Sequence, residues 1–434
     1  MSQTEAGKPH SKIGDAFRVS SGNFLEMYDF MVFGYYASAI GKAFFPSGSQ
    51  MNSLLLALMT FGVGFLMRPL GAIVLGAYTD KIGRRKGLIL TLTLMSLGTL
   101  LLALVPGYNR IGLLAPILVL IGRLLQGFSA GVELGSVSVY LAEMATPSTK
   151  GFWVSWQSAS QQLAVMFAAF LGILVNHFLN PAQTDAWGWR IPLLIGLSLV
   201  PMLFALRRSL KETDEFAARQ THPTIGEIGK TLIENAGVIV IGMAMVMMTT
   251  VCFYLITAYT PTFGKEVLHL DPNKTMLVTM CVGASNLLWL PLSGALSDRI
   301  GRKPILLVTS ILALASAYPA MLWLTSAPSF ERLLTTELWL SFIFGTYNGA
   351  NVVYLTEIVP AQVRATGFSL AYSLATCVGG FTPALCTELI ERTHNKAMPG
   401  VWLSAIAAIA LVAILISRPY AAENSKHIRY TPRP

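Results

Sequence analysis

The sequence predicts an all-α membrane protein with twelve transmembrane helices in two six-helix bundles and both termini in the cytoplasm. Three observations lead there: a composition too apolar for a water-soluble body, twelve apolar runs of spanning length, and an internal repeat offset by about half the chain.

The 434 residues are 53% hydrophobic and 12% charged, and the mean hydropathy is +0.58. Soluble domains carry roughly a quarter charged residues, so much of this surface is expected to face hydrocarbon. The net charge of +9 invites a nucleic-acid reading, but the placement of the charge explains it otherwise. The cysteines, Cys252, Cys281, Cys377 and Cys386, stand in apolar runs without metal or redox spacing and read as buried thiols.

A bilayer-crossing helix needs about 20 apolar residues. The expected spans are 18–40, 52–79, 87–106, 113–142, 152–178 and 190–207, then 236–263, 275–297, 304–326, 333–356, 366–390 and 399–418. This divides the chain into a cytoplasmic tail (1–17), a first bundle (18–206), a linker (207–235), a second bundle (236–418) and a second tail (419–434). The polar start, Met1 to Lys12, has no apolar core of its own, so no cleaved signal peptide is expected. With both termini on one side, that side collects 21 of the 31 Lys and Arg residues. The bias places it in the cytoplasm and accounts for the basic charge without a nucleic-acid partner. Trp187 and Trp189 read as anchors at the membrane interface.

The repeat organises the rest. Gly76, Asp80, Lys81, Gly83, Arg84 and Arg85 recur 218 residues later as Gly294, Asp298, Arg299, Gly301, Arg302 and Lys303, each set following the second span of its half. Gly127 and Gly131 recur as Gly345 and Gly349 at the same offset, and Tyr140 with Glu143 are echoed by Tyr354 with Glu357. Parallel repeats of this kind place a substrate site between the halves.

The doubled loop motif resembles the signature of the major facilitator superfamily. Within it the chain is similar to the metabolite–proton symporters, and among those to the citrate–proton group. Gly22, Asn23, Glu26, Tyr28, Asp29 and Phe30 in the first span carry the resemblance, with Arg68, Pro69 and Gly71 in the second. So do Arg123, Gln126, Gly127 and Gly131 in the fourth, Gln157, Gln161 and Gln162 in the fifth, and Trp189, Arg190 and Pro192 at the sixth. The resemblance implies alternating-access uptake of citrate, or a close tricarboxylate such as tricarballylate, with protons. It implies a bacterial inner membrane and leaves sodium open as a second coupling ion. Another solute of the branch, such as a dicarboxylate, is the alternative, and from a different class a receptor or scaffold without transport. No nucleophile–base constellation, metal cluster or nucleotide-binding loop is visible in the sequence, so neither an enzyme nor a cofactor or metal is expected. A monomer is expected, in contact with the lipid bilayer.

Ionisable groups inside spans cost about 2.5–3.5 kcal/mol each on insertion scales and mark function by default. They concentrate in the first half: Glu26, Asp29, Arg68, Arg123 and Glu133. Glu26 and Asp29 share one helical face, where two close carboxylates oppose each other's ionisation. With Glu133 they are the candidate proton-coupling acids, and Asp29 is expected to pair with Arg123. Arg123, followed on the same face by Gln126, is the leading anchor for a carboxylate, because a guanidinium fork donates two parallel hydrogen bonds. Arg68 is the second. Asn23, Tyr28, Gln157, Gln161, Tyr347 and Asn351 are candidate neutral contacts. In the loops and nearby span ends, Asp80, Arg84, Glu143, Asp298, Arg302 and Glu357 are candidate gating charges, a role the resemblance implies.

Overall fold

The structure, a computed structural model, describes residues 22–82, 84–131, 133–208, 233–359 and 364–418. The two tails and most of the linker lie outside the described residues, as do the side chains of Asp80, Arg84, Glu133 and Glu143.

Each expected stretch is helical over most of its described length, and no strand occurs among the described residues. In order, the helices are Gly22–Tyr35 with Ala37–Phe44, Gln50–Leu66 with Arg68–Ile82, Arg84–Leu104, Leu114–Ala130 with Glu133–Met144, Lys150–Phe178 and Arg190–Arg208. Then follow Ala236–Tyr254, Pro272–Ile300, Arg302–Ser326, Phe330–Ile358, Arg364–Gly380 with Thr382–Thr393, and Met398–Ile416. We call these the first to twelfth helices. Seven described helices are by themselves long and apolar enough to cross a membrane, or eight if the bent pair Pro181–Gly188 and Arg190–Ala205 is one span. Leu66, Leu100, Phe170, Leu288, Ile311 and Val412 are well exposed on the outer face. Apolar side chains spread this widely suit a hydrocarbon surround, and the protein is an integral, multi-pass membrane protein.

Small residues decide which helices touch. A Cβ at Gly127 would collide with the Gly64 carbonyl, one at Gly131 with the Arg68 carbonyl, and one at Gly71 with the Phe128 carbonyl. The second and fourth helices therefore meet backbone to backbone. The repeat does the same in the second half, where Gly345 lies against Trp289 and Gly349 against the Leu290 carbonyl, joining the eighth and tenth helices. The fifth and eighth helices pack along their length, from Gly151 against Gly294, through Asn286 donating to Gln162 (3.0 Å), to Gly172 against Met276. The second helix packs likewise on the eleventh, at Gly62 with Phe381 and Phe65 with Gly380.

Pro69 shapes the second helix. It has no N–H for the Phe65 carbonyl one turn before it, and the helix breaks at Met67, immediately ahead of Arg68. The Cys377 thiol of the eleventh helix donates to that freed carbonyl (3.2 Å), the kind of rescue that lets proline persist in hydrocarbon. Trp189 corrects an expectation: it is buried, not interfacial. Its ring is covered by the Arg190 guanidinium at 4.2 Å and meets Phe44 edge-on at 5.6 Å.

Candidate functional site

The backbone contact of the second and fourth helices carries Arg68 and Arg123 into one buried cluster, which the first helix completes. Arg68 Nη2 pairs with Glu26 Oε1 at 2.7 Å, both side chains nearly inaccessible. Phe30 lies between the two cations: the Arg68 guanidinium is 5.0 Å from its ring centre and that of Arg123 4.4 Å. Phe65 adds a second ring to Arg68, and Phe33 and Phe61 add two more to Arg123. Aromatic faces stabilise a buried cation by about 0.5–2 kcal/mol each without neutralising it.

The expected Asp29–Arg123 ion pair is not formed. Arg123 Nη1 donates to Gln126 Oε1 (2.8 Å), Gln126 Nε2 donates to Thr99 Oγ1 (3.0 Å), and Thr99 Oγ1 donates to Asp29 Oδ2. The physical reason is the ring layer: the guanidinium is held among the rings of Phe30, Phe33 and Phe61, so its charge reaches the acid through two neutral side chains. The Thr99 hydroxyl has a second acceptor in the Met95 carbonyl (3.1 Å). Arg123 and Arg68 each keep an Nε without a partner, and Asp29 keeps Oδ1.

A central cavity of about 20 Å³ is lined by Met27, Arg68, Ser158, Gln161, Thr249, Tyr254 and Asn348, among others. It has room for one or two water molecules. Arg68 stands on its wall; Arg123, the expected leading anchor, is not among the lining side chains. Gln161 lines it too, whereas Gln157 accepts from Ser158 (2.7 Å). Tyr28 turns to the sixth helix and donates to the Pro192 carbonyl (2.6 Å). Tyr347 donates to the Met245 carbonyl (2.8 Å), and Asn351 to Thr249 Oγ1 (3.1 Å). These three are tied between helices and do not themselves line the cavity, though Asn351 holds Thr249, which does. Asn23 is buried with both amide atoms unpartnered and is not part of that wall. Asn348 is: its amide oxygen and nitrogen both lack partners.

At one end of the molecule, Asp298 caps a neighbouring helix. Its Oδ1 accepts from Gly151 N (2.8 Å) and its Oδ2 from Phe152 N (3.1 Å), two amides in the first turn of the fifth helix. Free amides and the helix dipole make that terminus a site for a negative charge. Arg302 pairs with Asp298 at 2.8 Å and with Glu357 at 3.4 Å. The motif's glycine is required between them: Gly301 has φ +91°, open to glycine and strained for other residues. At the other end, a vestibule of about 220 Å³ lies between the first, fifth, seventh and eighth helices.

Sequence reasoning missed three sets. Thr99 sits in an apolar run, and nothing in its spacing signals a partner. The rings of Phe30, Phe33 and Phe61 read as ordinary core. Glu337 did carry a signal, as an acid within the tenth span, and it extends the buried ionisable groups to the second half, contrary to their expected concentration in the first.

Comparison with known proteins agrees with this architecture. The family description Major Facilitator Superfamily matches residues 19–384. The chain is 58% identical over 404 residues to the citrate-proton symporter of Klebsiella pneumoniae, covering 93% of this chain and 91% of that protein. It is 54% identical over 429 residues to the citrate-proton symporter of Salmonella typhi, covering 98% and 99%. A solved D-xylose-proton symporter superposes with a TM-score of 0.75 at 19% identity, over 92% of this chain and 96% of the other, a likeness of fold. On the family match and these full-length relatives, the chain belongs to the major facilitator superfamily.

Proposed function

We propose that this protein takes up citrate together with protons, by rocking two six-helix bundles, 18–206 and 236–418, about the central cavity. The observation that carries the reading is Arg68 on the cavity wall, a guanidinium with an unpartnered Nε within the Arg68–Glu26–Arg123–Asp29 cluster. The names of the two close relatives supply the substrate. The linker 207–235 and both tails lie in the cytoplasm of a bacterial cell in this reading, the protein sits in the inner membrane, and one chain suffices as the unit.

The donors of the relay all point toward Asp29, the arrangement that suits an ionised carboxylate. A proton on Asp29 makes it a donor in turn, and the Thr99 hydroxyl then swings to the Met95 carbonyl. Only the Thr99–Asp29 link reverses, since Arg123 and Gln126 keep donating as before. With the negative charge on Asp29 gone the pull on Arg123 weakens, and the guanidinium is free to meet an incoming carboxylate beside Arg68. Gln161 and the polar groups of the second half complete the contact. Glu26 and Glu133 are the further acids of this scheme. Gating falls to Asp298, Arg302 and Glu357, whose charges hold one end shut, and by the repeat to Asp80, Arg84 and Glu143.

The test is uptake of labelled citrate by purified protein in proteoliposomes under an inward proton gradient, with and without sodium. Tricarballylate and 2-oxoglutarate serve as competitors. Gradient-dependent accumulation is expected; a preparation that accumulates no carboxylate sinks the proposal, and stronger competition by 2-oxoglutarate than by tricarballylate moves it to dicarboxylates.

A further inference from the structure

The tenth helix carries an acid that the central cluster does not use. Glu337 is 2% exposed and its Oε2 has no partner. The ion pairs found among the described residues involve other acids. It faces the Cys252 thiol of the seventh helix and the Thr260 hydroxyl of that helix's continuation, Thr260–Thr262. One turn to either side, the tenth helix meets the eighth through Ser341, which donates to Asn286 (2.7 Å) and contacts Ser285 (2.8 Å), and through Leu333 near Thr275. Cys252 is thus the titratable neighbour, and among the described residues no cation pairs with Glu337. An unpaired carboxylate is costly in such a place. The Thr260 hydroxyl has one hydrogen and three acceptors within reach: the carbonyls of Ile256 (2.9 Å) and Leu255 (3.2 Å) and the Glu337 carboxyl group. When a carbonyl takes that hydrogen, the lone pairs left fit a neutral acid, which brings its own; when Glu337 takes it, they fit a carboxylate.

The cover over this acid is irregular. Beyond Tyr254 the seventh helix runs through two π-helical segments, Leu255–Tyr259 and Phe263–Val267, on either side of Thr260–Thr262. Wide turns of this kind recur at functional sites, and Pro261 withholds one more backbone donor. The same segment faces two ways. Thr260 lies against Glu337, while Pro261, Thr262, Lys265 and Glu266 line the vestibule. Thr262 Oγ1 also donates to the Gly34 carbonyl (3.1 Å), tying the segment to the first helix.

We propose that Glu337 is a second proton-carrying group of the transport cycle, loaded from the vestibule when the π-helical segment parts from the first helix. Loading forms an O–H bond on the carboxylate with a proton from vestibule water. Unloading breaks that bond and passes the proton to water of the central cavity, whose wall includes Phe253 of the seventh helix and Phe344, two turns further along Glu337's own helix. No electrons move and no other reactant is needed. The inference rests on the proton-coupled reading of the central site.

The experiment counts protons per citrate entering proteoliposomes, with an internal pH dye and labelled citrate, for the unmodified protein and Glu337→Gln in parallel. Glutamine keeps the shape of the neutral acid, so a group that only packs predicts no change. The expected result is one proton fewer per citrate, with uptake less steeply dependent on external pH. An equal proton count in both proteins overturns the assignment of Glu337 and leaves the coupled reading standing. Should the unmodified protein itself move no protons with citrate, both fall. If Glu337→Gln does not purify as a monodisperse protein, Glu337→Asp decides: it keeps the proton count and shifts the pH dependence of uptake. An unshifted profile overturns the inference.

Discussion

Arg123 and Asp29 are coupled without touching: Gln126 and Thr99 stand between them, each donating toward the acid. A direct ion pair would hold both charges in one fixed geometry. The relay instead has a hinge at the Thr99 hydroxyl, which has Asp29 and Met95 as alternative acceptors, and in the proposed mechanism this hinge carries the effect of a proton on Asp29 to Arg123 without helix movement.

Thr99 is therefore the residue whose loss should separate stability from coupling. Thr99→Val keeps the shape but strips partners from Asp29 and Gln126, an expected cost of about 1–3 kcal/mol seen as a lower melting temperature. Citrate accumulation should also respond less to an imposed pH gradient, and Thr99→Ser should restore it. A valine variant with wild-type gradient dependence would remove Thr99 from the coupling path.

Asp29→Asn fixes the acid in a neutral form. Uptake should stop rising as the outside is acidified, because the group whose protonation drives it no longer titrates, while exchange of external for internal citrate survives. Paired measurements of gradient-driven uptake and exchange check this, and unchanged pH-driven accumulation rules Asp29 out.

Arg68 is expected to hold a substrate carboxylate through its fork. Arg68→Lys keeps the charge but loses the bidentate geometry, and should weaken citrate binding by about tenfold or more, which corresponds to roughly 1.4 kcal/mol. Thermal-shift titration with citrate reads this directly, since a ligand stabilises the folded state by mass action. An undiminished shift in the lysine variant would place the anchor elsewhere, with Arg123→Gln the next variant to titrate.

Asn348 presents an unpartnered donor and acceptor at the cavity and is expected to read the hydroxyl that citrate has and tricarballylate lacks. A polar site built for a hydroxyl rejects the analogue without one. Asn348→Leu should therefore narrow the citrate-to-tricarballylate preference, mainly by weakening citrate. Competition assays that show the same ratio in both proteins would exclude this role.

Asp298 holds the fifth helix by two charge-assisted hydrogen bonds, each worth about 1.5–3 kcal/mol. Asp298→Ala should destabilise closure at that end. A cysteine placed at Gly294, under the Gly151 contact, would report lost closure but would itself collide there; labelling at Ser155 replaced by cysteine avoids this. Faster labelling in the Asp298→Ala background is expected, and an equal rate would deny Asp298 a gating role.

The sequence by itself determined the helices and their membrane setting, because apolar run length and scarcity of charge are local properties that hydrocarbon reads directly. It also exposed Gly127, Gly131, Gly345 and Gly349 as packing positions, since a small residue every four places marks one helix face. Tertiary structure alone decided which charges meet. Arg68 and Arg123 lie 55 positions apart, and their shared contact with Phe30 exists because two helices touch at glycines. Pairing Glu26 with Arg68 rather than Asp29 with Arg123 depends on which rings fill the space between helices. A side chain's partner is set by three-dimensional packing, and helical periodicity gives only the face from which it starts.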